Sequence, residues 1–167
     1  LKIKDVPSPI NASYNWPGLY KPFAHQKVTA SFLTMHRRSF CFNEQGTGKT
    51  GSVIWASDYL LSKRIIKRVL VICPLSIMES AWRNDLFSFA MHRTVDVAYG
   101  AKEKRRKIIN QGSDYVVINY DGVEIVAEDI ANGGFDCIIV DEATHYKNAQ
   151  TKRWKTLNKL LTDQTWL

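Results

Sequence analysis

The sequence lacks the features of membrane, secreted and zinc-binding proteins. No uninterrupted apolar run approaches the roughly 20 residues that span a bilayer, and no secretory signal pattern opens the chain. The three cysteines, Cys41, Cys73 and Cys137, are odd in number and form no Cys-x-x-Cys pair, and the four histidines lack the spacing of metal ligands. Each cysteine lies within or at the end of an apolar run, so we expect buried free thiols in an intracellular protein.

The size and composition are those of one globular domain. The chain has 167 residues, of which 45% are hydrophobic, which is enough for a substantial core and too apolar for a disordered segment. It begins at Leu1 and not at methionine, so we expect a piece of a longer protein.

The formal net charge is +7, and basic residues cluster at 63–68, 102–107 and 152–159. A polyanionic partner such as nucleic acid is one explanation of this pattern. Solvated helix faces on a soluble protein are the other explanation, and charge alone does not separate the two.

Strand and helix patterns alternate along most of the chain. Residues 1–21 are rich in proline and predict an irregular N-terminal arm, whereas 22–167 predict a single lobe. Short apolar runs predict strands at 39–42, 68–74, 94–99, 115–119 and 135–141, with another beginning at 166. Helical patterns lie at 22–36, 52–62, 76–89, 101–111, 121–131 and 150–161, and Ser76 with Glu79 has capping-box spacing. The alternation predicts an α/β fold with a mainly parallel sheet covered by helices on both faces.

Residues 41–50, Cys-Phe-Asn-Glu-Gln-Gly-Thr-Gly-Lys-Thr, stand between a predicted strand and a predicted helix, which is the layout of a phosphate-binding P-loop. Gly46 and Gly48 let the backbone approach phosphates, and the helix N-terminus supplies N–H donors and a favourable dipole. Lys49 brings a positive charge to the β- and γ-phosphates, and Thr50 brings a hydroxyl to Mg²⁺. An asparagine replaces the first glycine of the strict pattern, so a glycine-containing turn with a chance lysine is the alternative.

The apolar residues 137–140 lead directly into Asp141 and Glu142, which is the form of a Walker B element. Nucleotide hydrolysis needs a carboxylate that holds Mg²⁺ and a base that orients the attacking water. Asp141 suits the first role and Glu142 the second. Because ligands of parallel sheets lie beyond the carboxyl ends of the strands, we expect both halves of this site at one edge. Two acidic residues that favour the dipole at the start of a helix are the alternative.

Five stretches of the chain resemble, in order, motifs of the Swi/Snf-type ATPases within superfamily two helicases. Residues 43–50 resemble that family's Asp-Glu-Met-Gly-Leu-Gly-Lys-Thr, and 141–148 resemble its Asp-Glu-Ala-His-Arg-x-Lys-Asn. Residues 23–26, Phe-Ala-His-Gln, are similar to its adenine-recognition element, 73–82 to its motif Ia and 117–121 to its motif Ib. The resemblance covers most of the chain and implies a RecA-like P-loop lobe.

The resemblance also implies roles for individual residues. It makes Lys49, Asp141 and Glu142 catalytic, and Thr50 and Asp141 the metal ligands. The adenine is read by Gln26, and the phosphates are bound by Gly46, Thr47, Gly48, Lys49 and Thr50. It assigns contacts with the nucleic-acid backbone to five residues: Pro74, Leu75, Ser76, Asn119 and Tyr120. A helix beginning at Ser76 would offer N–H groups to a phosphate, with a plain helix cap as the alternative.

Three positions depart from the family's pattern. Thr144 and His145 replace a histidine and an arginine, which bears on coupling between the two motor lobes of that family. Asn119 stands near a position that is often threonine. The chain ends before the family's motif III and its second lobe with the arginine fingers.

We therefore expect the first motor lobe of an ATP-dependent DNA translocase or helicase that uses ATP and Mg²⁺. Its partners would be nucleic acid, most simply DNA, and a second RecA-like lobe of the same full-length chain, with no membrane. We expect the isolated fragment to be nearly inactive as an ATPase, and the protein to be intracellular, either cytoplasmic or nuclear, or encoded by a virus. A P-loop phosphotransferase is one alternative, although no insertion for an acceptor site or lid is visible. A non-hydrolysing nucleotide sensor is the other, and the presence of Glu142 speaks against it.

Overall fold

The computed structural model describes residues 8–39, 48–142, 151–160 and 164–166. Six strands in this part of the chain form one sheet: β1 Arg38–Ser39, β2 Val69–Cys73, β3 Val95–Ala98, β4 Tyr115–Asn119, β5 Cys137–Val140 and β6 Gln164–Trp166. Their order across the sheet is β1-β6-β5-β2-β4-β3, and every neighbouring pair is parallel. The predicted parallel sheet is confirmed.

The central strands form where the sequence is continuously apolar. Every residue of β2, β4 and β5 is buried, as expected for strands covered on both faces. β4 has the predicted bounds, whereas β2 and β5 are shorter than predicted at both ends. Cys73 and Cys137 are buried free thiols, as predicted, and Cys41 lies outside the described residues.

Eight α-helices are present in the described part of the chain. Their bounds are α1 Pro9–Ser13, α2 Ala24–Met35, α3 Lys49–Ser62, α4 Asn84–Phe89, α5 Lys102–Ile109, α6 Tyr120–Ile125, α7 Ala127–Asn132 and α8 Lys152–Leu160. Alternate residues of the strands face two separate apolar clusters, one with α2, α3 and α4 and the other with α5 to α8. The predicted three-layer arrangement is therefore confirmed. No helix in the described ranges has both the length and the apolar character needed to cross a membrane.

The N-terminal region differs from its prediction. The arm is not entirely irregular, because α1 forms within it and buries Ile10. α2 buries Gln26, Ala30 and Leu33, whereas four larger apolar residues in or next to it are 46% to 68% exposed: Phe23, Val28, Phe32 and Met35. Gln26 reaches the residue that precedes α3.

The predicted helices at 76–89 and 121–131 are both interrupted. Leu75–Ile77 form a 3₁₀ turn, Met78–Arg83 a π-helix, and α4 begins only at Asn84. The capping box at Ser76 is therefore wrong, since no α-helix starts there and the Glu79 carboxylate pairs with Arg83 at 3.1 Å. The second helix breaks at Val126, which has φ −122° and ψ 29° between α6 and α7.

A carboxylate in the core ties three segments together around α3. Asp58 is 1% exposed. Its oxygens accept hydrogen bonds from the Tyr14 hydroxyl at 2.5 Å, His92 Nε2 at 2.9 Å and Arg93 Nε at 2.5 Å. A charge this deep is stable only when paired and hydrogen-bonded. Asp58 thereby fixes the N-terminal region and the loop after α4 against the helix that begins at the P-loop.

Candidate functional site

Every predicted site residue that the structure describes lies at or near the carboxyl edge of the sheet. All six strands are parallel, so the ends of β1, β2, β4 and β5 face the same way. The chain runs from β1 into the P-loop and from β5 into Asp141, with only β6 between those two strands. Neighbouring strands lie about 4.8 Å apart, so the ends of β1 and β5 lie roughly 10 Å apart along the edge.

The first turn of α3 is shaped for an anion. Gly48 precedes it with φ +73°, and α3 begins at Lys49, earlier than the predicted start at residue 52. No described side chain caps this helix, and the first N–H groups of a helix have no partners within it, which suits them to an anionic ligand. Lys49 and Thr50 are half-buried in this turn. Gly46 and Thr47 lie outside the described residues.

Gln26 contacts the end of the P-loop directly. Its Nε2 donates to the carbonyl oxygen of Gly48 at 3.1 Å, and its Oε1 accepts from the N–H of Phe23 at 2.9 Å. A Cβ at position 48 would lie 2.2 Å from Gln26 Nε2, so both the left-handed backbone and the packing require glycine there. The carboxamide keeps one further hydrogen and one further lone pair for another partner.

Asp141 and Glu142 form a corner directly after β5. The N–H of Asp141 donates to the carbonyl of Ile72 at 2.8 Å, which extends the pairing with β2 beyond the strand itself. Glu142 then turns with φ +52°, a conformation that a glutamate rarely adopts. The acidic pair lies directly after the strand, as predicted, and residues 143–150, which would form any helix beginning at the pair, lie outside the described residues.

Two aromatic side chains hold this corner, and neither of them was predicted to have this role. Trp82 is 2% exposed and donates its indole N–H to Asp141 Oδ2 at 2.9 Å. The Tyr120 hydroxyl donates to the carbonyl oxygen of Asp141 and lies 3.3 Å from that of Glu142. A buried indole N–H requires an acceptor, which is the one signal that could have linked Trp82 to a carboxylate in advance.

The residues predicted to contact nucleic acid follow β2 and β4. These strands lie in that order beyond β5, on the side away from β1. Leu75 is 54% exposed, and Ser76 is also exposed, at the end of β2. Asn119 and Tyr120 are 7% and 6% exposed. The Asn119 amide oxygen accepts from Arg105 Nη1 at 2.9 Å, so a nucleic-acid contact by this side chain stays a prediction that its present bonding does not favour.

Cys73 reports the electrostatics of this edge. Burial first, and then the negative charges of Asp141 and Glu142, raise the pKa of its thiol to about 12. The thiol therefore stays protonated at neutral pH, which makes it a poor nucleophile.

The oxygen atoms at this edge suit a divalent cation that is bound by protein side chains and by a phosphate together. Within the described ranges, no three His, Cys, Asp or Glu side chains converge as a metal cage. Mg²⁺ is commonly bound by one or two carboxylates together with substrate phosphates and water. Asp141 and the Thr50 hydroxyl fit that mode, and a phosphate at the start of α3 would supply the remaining oxygens.

Comparisons with known proteins agree with this geometry. The profile described as the SNF2-related domain matches residues 25–167. The chain belongs to this family. The SWI2/SNF2 ATPase core of Sulfolobus solfataricus in complex with dsDNA superposes with a TM-score of 0.77 at 24% identity, covering 90% of this chain and 32% of that one. The fold of the SNF2-related chain is thus RecA-like, as predicted.

Relatives from plants and fungi are similar over most of the chain. Protein CHROMATIN REMODELING 24 of Arabidopsis thaliana is 26% identical over 170 residues, covering 89% of this chain and 16% of that protein. The ATP-dependent helicase fft2 of Schizosaccharomyces pombe is 29% identical over 127 residues, covering 71% of this chain and 10% of that protein. The SNF2-related chain therefore spans a small part of the length of these curated relatives.

Proposed function

We propose that this chain is the first motor lobe of an ATP-dependent DNA translocase or helicase. The observation that carries the proposal is the placement of the open N-terminus of α3 and the Asp141–Glu142 corner at one edge of one parallel sheet. A nucleoside triphosphate needs N–H donors for its phosphates and a carboxylate for its Mg²⁺, and this edge offers both. The names of the relatives, an ATP-dependent helicase and a chromatin-remodelling protein, support ATP as the nucleotide.

Each described residue of the edge then has a chemical task. Lys49 neutralises phosphate charge, and the Thr50 hydroxyl and the Asp141 carboxylate hold the cation. The bound Mg²⁺ supplies charge neutralisation at the phosphates. Glu142 orients and deprotonates the attacking water, and Gln26 contacts the adenine edge with the hydrogen and lone pair that its internal bonds leave over. Gly46 and Thr47 complete the phosphate loop in this proposal.

DNA is the partner that the charge distribution favours. α5 begins after the end of β3, and this places its first turn at the same edge as Ser76 and the end of β4. Lys102 and Lys104 in that turn are exposed. The structural neighbour is itself a complex with dsDNA, which supports duplex DNA over other polyanions. In the proposal, the half-buried Pro74 and the exposed Leu75 and Ser76 contact the nucleic-acid backbone.

A complete reaction needs more than this lobe. In this proposal, a second RecA-like lobe of the full-length protein supplies an arginine to the transition state, a contribution worth on the order of a thousand-fold or more in rate. The 167-residue chain alone would bind nucleotide and turn it over poorly. An intracellular location, in cytoplasm or nucleus or from a virus-encoded protein, belongs to the same proposal.

Phosphate release by the full-length protein tests this function. We expect ATP hydrolysis that duplex DNA stimulates and that Lys49→Ala abolishes, with little turnover by residues 1–167 alone. Hydrolysis that ignores DNA would favour a P-loop phosphotransferase or another enzyme, and tight binding without hydrolysis would favour a nucleotide sensor. Strong DNA-stimulated turnover by the 167-residue chain would contradict the requirement for a second lobe.

A further inference from the structure

The Asp141 carboxylate is held in place by a donor that comes from a distant part of the chain. Trp82 lies 59 residues before Asp141 and donates to its Oδ2 at 2.9 Å, while the N–H of Glu142 donates to its Oδ1 at 2.9 Å. Two donors on two oxygens fix the plane of the carboxylate. Each carboxylate oxygen accepts more than one hydrogen bond, so lone pairs remain for a cation.

The π-helix explains how Trp82 reaches this position. Its i→i+5 hydrogen bonds widen the turn of Met78–Arg83, and π-turns are frequent at functional sites. Met78 and Trp82 are both 2% exposed, so both face the core beneath the sheet edge. The indole is wedged in a packed environment and cannot swing away from the carboxylate without opening the core.

Tyr120 holds the backbone of the same corner. Its hydroxyl donates to the carbonyl of Asp141, and Glu142 next to it has the left-handed φ of +52°. A non-glycine residue persists in that region only where its surroundings support it. The aromatic ring of Tyr120 lies under the Arg153 guanidinium at 5.6 Å, and Arg153 also pairs with Asp121 at 2.5 Å.

These contacts connect the two functions of the edge. Tyr120 is the first residue of α6, directly after β4, where the chain is proposed to meet nucleic acid. A displacement of this segment moves the hydroxyl that supports the Asp141–Glu142 backbone. Trp82 likewise lies in the π-helix that directly follows the 75–77 turn, in which Leu75 and Ser76 are exposed.

We propose that Trp82 and Tyr120 are positioning residues that set the geometry of the Asp141–Glu142 corner and link it to the nucleic-acid side of the lobe. The inference rests on the proposed function, because it assigns these residues to the cation and water of that reaction. Trp82 orients the cation-binding carboxylate, as outer partners of metal ligands do. Tyr120 holds Glu142 in the conformation from which it meets the water.

Trp82→Phe tests the first half, because it keeps an aromatic ring and removes only the indole donor. We expect the Mg²⁺ concentration needed for binding of a fluorescent ATP analogue to rise about tenfold, within the range found for outer partners of metal ligands. Trp55→Phe is the matched control, since Trp55 is also buried and donates its indole N–H to Pro17 at 2.8 Å. We expect the control to keep the Mg²⁺ dependence of the parent chain.

Two failures are distinguishable in this titration. If the parent chain shows no Mg²⁺-dependent nucleotide binding, the proposed function falls and the inference falls with it. If the parent binds and Trp82→Phe needs no more Mg²⁺ than the parent, only the positioning role is refuted. Should Trp82→Phe fail to fold, the indole N–H signal of Trp82 in the ¹⁵N spectrum of the unaltered chain decides. It must shift when Mg²⁺ is added to nucleotide-saturated protein, and a signal that does not move overturns the inference.

Tyr120→Phe tests the second half in the full-length protein. We expect kcat for DNA-stimulated ATP hydrolysis to fall about tenfold, with a much smaller change in KM for ATP. Tyr115→Phe is the control, because Tyr115 begins the strand that precedes Tyr120 and also loses a buried hydroxyl bond, here to Ser57 Oγ at 2.6 Å. An unchanged kcat in Tyr120→Phe, or an equal loss in Tyr115→Phe, would show that Tyr120 has no positioning role.

Discussion

Asp58 and Asp141 are two carboxylates that each accept a hydrogen bond from an aromatic side chain, yet they are built for different purposes. Asp58 is 1% exposed and is surrounded by three side-chain donors, one of which is the guanidinium of Arg93 at 2.5 Å. Burial acts to lower the pKa of Arg93, but the hydrogen bond to Asp58 and its charge offset this and raise it. The pair is a neutral unit inside the fold.

Among the described residues, Asp141 accepts an indole N–H from Trp82 and the N–H of Glu142. Within the described ranges, no lysine or arginine forms an ion pair with it. In the proposed function, this negative charge serves a cation that is not part of the chain. The difference teaches that the carboxylate paired with an arginine stabilises the fold, whereas we propose that the one at the sheet edge serves function.

The largest expected effect concerns the residue next to Asp141. Glu142→Gln keeps the shape of the side chain and removes the base, so we expect kcat of the full-length protein to fall by roughly 10²–10⁴. Binding of a fluorescent ATP analogue should survive, because no phosphate or cation contact is lost. Phosphate release and analogue titration on the same preparation separate the two effects, and a variant that hydrolyses ATP normally would remove Glu142 from the reaction.

Replacing each of the two carboxylates by an amide tests whether Asp58 and Asp141 differ in their contribution to stability. Asp58→Asn leaves Arg93, whose side chain is only 18% exposed, without its counter-charge, so we expect a loss of about 3 kcal/mol in the free energy of unfolding. Asp141→Asn keeps one acceptor oxygen and turns an NH₂ group toward the other of its two donors, so we expect a smaller loss of about 1–2 kcal/mol. Urea unfolding of both variants provides the measurement. Equal losses would show that Asp141 is structural as well.

A smaller effect is expected where α2 meets the P-loop. Gln26→Ala removes the amide that contacts Gly48 and is proposed to read adenine, so the preference for ATP over GTP should narrow several-fold, about the value of one hydrogen bond. Competition binding with the two nucleotides measures it. If selectivity is unchanged, base recognition moves to Tyr20, which is 60% exposed, whereas the Trp16 ring is packed against Trp55 and Tyr14.

The smallest effect is a pH dependence around Asp58. Burial first, and then the Asp58 charge and hydrogen bond, raise the pKa of Tyr14 above its usual value near 10. A raised pKa means that the contribution of Tyr14 is complete below about pH 10 and is lost as the pH rises toward the folded-state pKa. Tyr14→Phe should cost about 1 kcal/mol at neutral pH.

Urea unfolding between pH 8 and pH 11 checks this prediction. The parent should lose stability above about pH 10 more steeply than Tyr14→Phe. The buried Tyr115, whose pKa is also raised by burial, contributes equally to both chains and cancels in the difference. Parallel curves would mean that the Tyr14 hydroxyl is not held by Asp58.

The sequence predicts well the features that depend on residues close together in the chain. Continuous apolar runs identified β2, β4 and β5, and the alternation with helices identified the parallel sheet and hence the shared edge. The acidic pair at the end of β5 followed from position alone. These features depend on neighbours in the chain and on the rule that parallel strands end together.

Contacts between distant segments escaped prediction. Nothing in the local pattern of residues 76–89 signals a π-helix, so the hydrogen bond from the Trp82 indole to Asp141 could not be predicted. The sequence pattern also did not show which face of α2 is buried, because the burial of Gln26 and Ala30 depends on the packing of distant segments. Asp58 was overlooked, although a single carboxylate inside the apolar stretch 53–61 is a sign that a buried partner must exist.

The central claim is that the N-terminus of α3 binds the phosphates of a nucleotide beside an unneutralised carboxylate. Titration of the 167-residue chain with a fluorescent ATP analogue, with and without Mg²⁺, tests it most directly when Lys49→Ala is compared with Lys63→Ala. Lys63 lies at the other end of α3 and is the matched control. We predict Mg²⁺-dependent binding that weakens about tenfold or more in Lys49→Ala and stays unchanged in Lys63→Ala. Binding by Lys49→Ala that equals the parent's would contradict the assignment of this helix terminus as the phosphate site.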